Sequence, residues 1–145
     1  MNDRYLFKAK RLDNGEWIIG SLIQNPFFKG VRSWISSEQE DKTRLKSISR
    51  TQALWNSIEV DSTTICQCTG LKDKNGNLIW ENDIANCLTE ECCGYICWNE
   101  SEAGFYFNVL LEDGTYEEEH IYDYVDCMDV IGNIFDNKEL LESEE

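Results

Sequence analysis

One stretch constrains this chain more than any other: Thr69, Gly70, Leu71, Lys72, Asp73, Lys74, Asn75, Gly76, Asn77, Leu78, Ile79, Trp80, Glu81, Asn82, Asp83, Ile84. Apolar residues on either side of Asn75-Gly76 spell strand, tight turn, strand. A two-residue type I′ turn needs positive φ at both central positions, which Asn and Gly adopt at little cost, so Asn75 and Gly76 are expected to reverse the chain there. Gly70 and the pair Asn82-Asp83 mark two further sharp points, because Gly and Asn tolerate left-handed backbone. Glu81 and Asp83 carry carboxylates, but a turn that needs positive φ explains Asn82 without invoking chemistry.

The same grammar repeats along the chain. Tyr5, Phe7 and Ala9 alternate with polar neighbours, Asp13-Asn14-Gly15 turns, and a β-rich run follows from Trp17 to Ile23, which together predict an N-terminal hairpin. Asn25-Pro26 interrupts it, since Pro lacks an N–H and restricts the residue before it. Residues 31–35 read as a third short strand, residues 37–46 as a solvated loop, and residues 47–55 as a short helix. Beyond the central hairpin, strands are expected over 84–88, 94–98 and 105–111, with Phe105, Phe107, Val109 and Leu111 on one face. Asp113-Gly114 is another hairpin signal, followed by a run through Ile121 and Tyr122. Residues 130–135 supply a closing strand, with Gly132-Asn133 as a turn. Short strands at this spacing, separated by turn residues, predict a mainly β chain built on a small antiparallel barrel.

Two motifs carry a family resemblance. Thr69-Gly70-Leu71-Lys72-Asp73-Lys74-Asn75-Gly76, followed by Ile79-Trp80 and Glu81-Asn82-Asp83-Ile84, resembles the signature of the YopX family, whose proteins are encoded by bacteriophages and prophages. The run Val130, Ile131, Gly132, Asn133, Ile134, Phe135, Asp136, Asn137, Lys138, Glu139, Leu140, Leu141 is similar to that family's closing motif. The chain departs from the family pattern at Ser62, Ile65, Cys66 and Cys68, where Pro, Val, Gly and an aromatic are usual, and at Asn82, where Gly is. The resemblance implies a C-terminal SH3-like barrel. The resulting expectation is a β-rich α+β chain with an N-terminal β-hairpin subdomain over residues 1–57, the barrel over 58–136 and an acidic tail over 137–145. The resemblance implies no defined activity.

Charge is the next constraint. The net charge is −15, and it is lopsided: residues 1–80 hold twelve Lys/Arg and nine Asp/Glu, residues 81–145 one Lys/Arg and nineteen Asp/Glu. Phosphate backbones are drawn by Lys and Arg, so direct nucleic-acid binding is not expected. Charge of this density fits a protein partner, either a second copy or a bacterial host factor. It also fits an acidic mimic that occupies the basic cleft of a nucleic-acid-binding protein. The N-terminal residues lack the apolar core of a secretion signal and no window is long enough to span a bilayer, which predicts a cytoplasmic protein without membrane contact.

Candidate chemistry reads thinly. The seven cysteines are expected to stay reduced in that compartment. Cys87, Cys92, Cys93 and Cys97 are the densest thiol group, but they lack the Cys-x-x-Cys spacing of zinc knuckles, so no metal is expected. Asp73-x-Asn75-x-Asn77 begins like a calcium loop, yet Leu78 stands where Gly is needed and Ile84 where a bidentate Glu is needed. His120, the single histidine, follows Glu117-Glu118-Glu119 and has no orienting partner nearby in sequence. No cofactor and no enzymatic constellation is expected, a metal-binding or enzymatic role for the cysteine cluster being the remaining alternative. The residues expected to meet a partner are Trp80 and Trp98, each ending a strand, and the acidic triplet Glu117, Glu118 and Glu119.

Overall fold

A computed structural model describes residues 3–25, 32–37 and 57–142. Apart from Ser37, the loop expected over 37–46 and the short helix expected over 47–55 lie outside the described residues. The chain divides into two compact units, Met1–Gln67 and Cys68–Glu145, with the division inside one strand.

In the first unit, β1 (Phe7–Lys10) and β2 (Trp17–Asn25) form the expected N-terminal hairpin, with Ala9 opposite Ile18. β2 pairs onward with β3 (Arg32–Ser36), and β3 with β4 (Ile58–Val60), all antiparallel. β5 (Cys66–Lys72) starts here, its Cys66 and Gln67 pairing with β1. Ala9, Ile18, Ile35 and Val60 alternate inward and form the core, with Leu22, Ile58 and Ile65 against it. Ser33 is fully buried, and its hydroxyl meets Ser62 Oγ at 2.9 Å and accepts from Gln24 Nε2 at 3.2 Å. That satisfies a polar group which would otherwise cost about 1–3 kcal/mol to bury.

In the second unit, the rest of β5 pairs with β6 (Leu78–Trp80), Cys68 standing opposite Trp80 and Lys72 opposite Leu78, with an irregularity between. Gly70, at φ +81°, lies in that irregularity. A five-stranded antiparallel sheet follows in the order β10 (Tyr116–His120), β9 (Gly104–Leu110), β8 (Cys92–Asn99), β7 (Asp83–Cys87), β11 (Met128–Asn133). The core gathers Ile79, Ala85, Ile96, Phe107, Val109, Ile121 and Met128. Gly94 is required in β8 because a Cβ there would run into the Asn108 carbonyl and lie 3.0 Å from the Phe107 ring. Of the expected acidic tail, Lys138–Leu141 form a 3-10 turn among the described residues.

The mainly β expectation therefore holds, with two corrections. The strands do not close into a cylinder: β10 and β11 remain at opposite edges, and no ladder joins them among the described residues. The central turn is also not type I′. Gly76 sits at φ +82°, but Asn75 is absent from the positive-φ residues, and the turn closes through Gly76 N–H to the Asp73 carbonyl (3.0 Å) and Asp73 N–H to the Asn77 carbonyl (2.8 Å). The cause is Asp73. Its buried Oδ1 accepts from the backbone N–H groups of Asn75 and Asn77, both at 2.9 Å, which selects a three-residue loop with one left-handed position. Asn82 does take positive φ, +71°, as its sequence position predicts, and Asp83 Oδ2 accepts the Trp80 N–H at 2.8 Å beside it. Gly132 and Asn133, expected as a turn, instead end β11 opposite Ile84 and Asp83, and the chain turns only after them, held by Asn133 Oδ1, which accepts from the N–H groups of Phe135 (3.0 Å) and Asp136 (2.9 Å).

Candidate interaction surface

Alternation along β8, β9 and β10 sorts their side chains onto two faces. Ile96, Phe107 and Val109 point into the core. Tyr95, Cys97 and Asn99 on β8, Tyr106 and Asn108 on β9, and Tyr116, Glu118 and His120 on β10 share the other face, as their register requires. Tyr95 and Tyr116 meet edge to face at 5.3 Å between ring centroids, and Tyr106 lies against the His120 ring at the same separation. Asn108 Nδ2 donates to Tyr95 Oη at 2.9 Å. Glu118 is seated by Asn99 Nδ2, which donates to Oε2 at 2.8 Å, and by the Cys97 thiol at 3.9 Å from Oε1. The outcome is a polar and aromatic strip ending in an acidic edge strand.

Electrostatics along β8 keep the thiols on both of its faces protonated. Burial, then the Glu118 carboxylate, pushes the Cys97 thiol up to about 11. Burial also raises Cys93, and burial with the Glu90 carboxylate raises Cys92. A thiol acts as nucleophile or metal ligand through its thiolate, so the fields here oppose both roles at neutral pH.

The four-cysteine group is split. Cys87 and Cys127 are joined in a disulfide, their Cα atoms 5.2 Å apart. The register explains the pairing: Met128 stands opposite Cys87 across β7 and β11, which carries its neighbour Cys127 to the same place. The expectation that all seven cysteines stay reduced is thereby corrected for this pair; Cys66, Cys68, Cys92, Cys93 and Cys97 are free thiols. Cys92 faces Cys87 across the strand pair, whereas Cys93 and Cys97 lie on the opposite face, so the four sulfurs cannot converge on one tetrahedral centre.

Of the residues expected to meet a partner, Trp80 is 7% exposed and belongs to the interior. Trp98 is 43% exposed and packs edge to face on Phe105 at 5.0 Å. Glu117 and Glu118 are exposed and Glu119 half-buried, all three on β10. Tyr95, Tyr106, Asn108 and Tyr116 were not singled out from sequence. Their signal was the alternation in Tyr95-Ile96-Cys97 and Tyr106-Phe107-Asn108-Val109, which names a second face only once the strands are aligned.

Among the described residues, no helix is long and apolar enough to cross a membrane. A family model described as YopX protein matches residues 6–142. No curated protein matches the chain.

Proposed function

The chain belongs to the YopX family, and on that footing we propose that it is a phage or prophage accessory protein of the bacterial cytoplasm that works by binding protein, not by catalysis. The observation that carries this reading is the charge of the second unit, where residues 68–145 hold twenty Asp/Glu against three Lys/Arg. A surface of one sign attracts a surface of the other and repels polyanions, and its range shrinks to within about 8 Å at physiological salt. The partner is therefore a positively charged protein surface. A second copy is one source of it, through a head-to-tail contact between the acidic second unit and the Lys/Arg-bearing first, which would form rings or chains of subunits. The raised thiols of Cys92, Cys93 and Cys97 support a binding role over a nucleophilic one.

Light scattering across a salt series, paired with affinity capture on the immobilised protein, tests this. The expected result is association at low salt that dissolves at high salt, with basic proteins or the protein itself retained. A strict monomer throughout, retaining no basic protein at low salt, would remove the reading. The acid-mimic alternative shares the same carboxylates; recovery of nucleases, polymerases or nucleoid proteins, eluted by added DNA, would select it.

A further inference from the structure

The two edges of the five-stranded sheet are finished differently. On β11, the outer edge is occupied: Lys74 N–H donates to the Met128 carbonyl at 3.0 Å, Val130 N–H donates to Asp73 Oδ2 at 3.2 Å, and Asn133 N–H donates to Asn137 Oδ1 at 3.2 Å. On β10 nothing comparable is present among the described residues. Leu111 N–H donates to the Thr115 carbonyl at 2.8 Å, and antiparallel pairs alternate, so Glu117 and Glu119 face their backbone groups toward Val109 and Phe107 of β9. Tyr116, Glu118 and His120 then turn their N–H groups, and Tyr116 and Glu118 their carbonyls, away from the sheet.

We propose that this free edge of β10 is a strand-addition site for an extended Lys/Arg-rich segment of a protein partner. The proposal rests on the protein-binding reading above and says where and how that binding is made. Unpaired edge groups supply main-chain hydrogen bonds to any incoming strand, and side chains select which strand is admitted. Here the selection is by charge. Residues of an added strand stand about 4.5–5.5 Å from their partners, so each meets Glu117 and Glu119 on one face or Glu118 on the other. Cationic side chains gain on both faces. An acidic strand, including the β10 edge of a second copy, meets like charge and is rejected. Carboxylates on an edge commonly prevent pairing altogether; three in a row leave the edge open to strands of one sign. Tyr116, 39% exposed at the start of the edge, adds an apolar flank for the lysine and arginine stems.

The test uses the whole chain and a short fluorescent peptide alternating lysine and valine, with anisotropy for affinity and amide hydrogen exchange for location. The peptide is expected to bind at low salt and to slow exchange at the amides of Tyr116, Glu118 and His120, leaving Glu117 and Glu119 as they were. Methylating alternate peptide nitrogens, which keeps every charge but removes the strand-forming N–H groups, is expected to weaken binding about tenfold or more, the equivalent of one to two hydrogen bonds. E118Q keeps the amide and loses one charge, for a loss of about threefold. E118P loses both, with a loss of about tenfold or more; exchange at Ile96 and Phe107 checks that the sheet stays folded. Equal binding of methylated and unmethylated peptides, or no binding of the unmethylated one, overturns strand addition. In either case salt-sensitive capture of a basic protein would still leave the protein-binding reading standing. The peptide comparison decides the matter even where E118P does not fold.

Discussion

Replacing Asp73 with alanine should destabilise the second unit by about 2–4 kcal/mol. The side chain is only 6% exposed and its carboxylate accepts three backbone N–H groups: Asn75 and Asn77 at 2.9 Å through Oδ1, and Val130 at 3.2 Å through Oδ2. A hydrogen bond to a charged group is worth about 1.5–3 kcal/mol net when its donor has no alternative. Asn75 and Asn77 are exposed, so water replaces part of what their amides lose, and about 0.5 kcal/mol each is a fair charge. Val130 is half-buried on β11, and its orphaned N–H carries the larger cost, about 1–3 kcal/mol. Asp73→Asn separates the two parts: the amide oxygen can still serve the turn, but an NH2 group then faces the Val130 N–H, donor to donor. Urea denaturation followed by far-UV circular dichroism gives the stability, and amide exchange at Val130 gives the local effect. The asparagine variant should retain the turn while losing most of the Val130 protection. A loss below about 0.5 kcal/mol for the alanine variant, or unchanged exchange at Val130, would refute the claim that this carboxylate ties the central hairpin to β11.

Other outcomes follow from the same contacts. Phe107→Ala, at a fully buried ring packed edge to face on Tyr124 at 5.2 Å, should cost about 3–5 kcal/mol in the same denaturation assay. Cys127→Ser should lower the stability of oxidised protein by up to about 4 kcal/mol, because the disulfide closes a loop with a sequence separation of 40, and should have little effect under reductant. Glu59 takes a bidentate hydrogen bond from the Arg32 guanidinium, at 2.8 and 2.9 Å, which lowers its pKa below the ordinary 4.5. Its folded value being the lower one, the pair's contribution is present above the unfolded value and lost as pH falls through the folded one. An NMR titration should place the Glu59 midpoint below 4.5 and Arg32→Ala should raise it.

The hairpins were legible because their turn residues are local signals: Gly15, Gly76 and Gly114 all take positive φ. Turn type was less so, since the Asn75-Gly76 dipeptide fits two loops and the choice fell to Asp73, whose carboxylate acts across the turn and onto β11. The interior of the second unit was partly legible in Phe107 and Val109, whereas Trp80, expected at a partner surface, is buried, because a strand-end position does not say which neighbours cover it. Least visible was anything set by pairing between distant strands. The Cys87–Cys127 bond depends on the register of β7 against β11, and the Tyr95, Tyr106, Tyr116 strip on that of β8, β9 and β10. Sequence spacing carries no information on which strand neighbours which.

The Cys87–Cys127 bond also changes what backbone cleavage can do to this protein. Everything between the two cysteines, including β8, β9 and β10, lies inside one covalent ring. A protease that nicks the exposed hairpin tip at Gly114 opens the ring without releasing a fragment, so the two pieces would migrate as one species until a reducing agent parts them. In a reducing compartment the same nick would yield two separable chains, held only by their ladders and core.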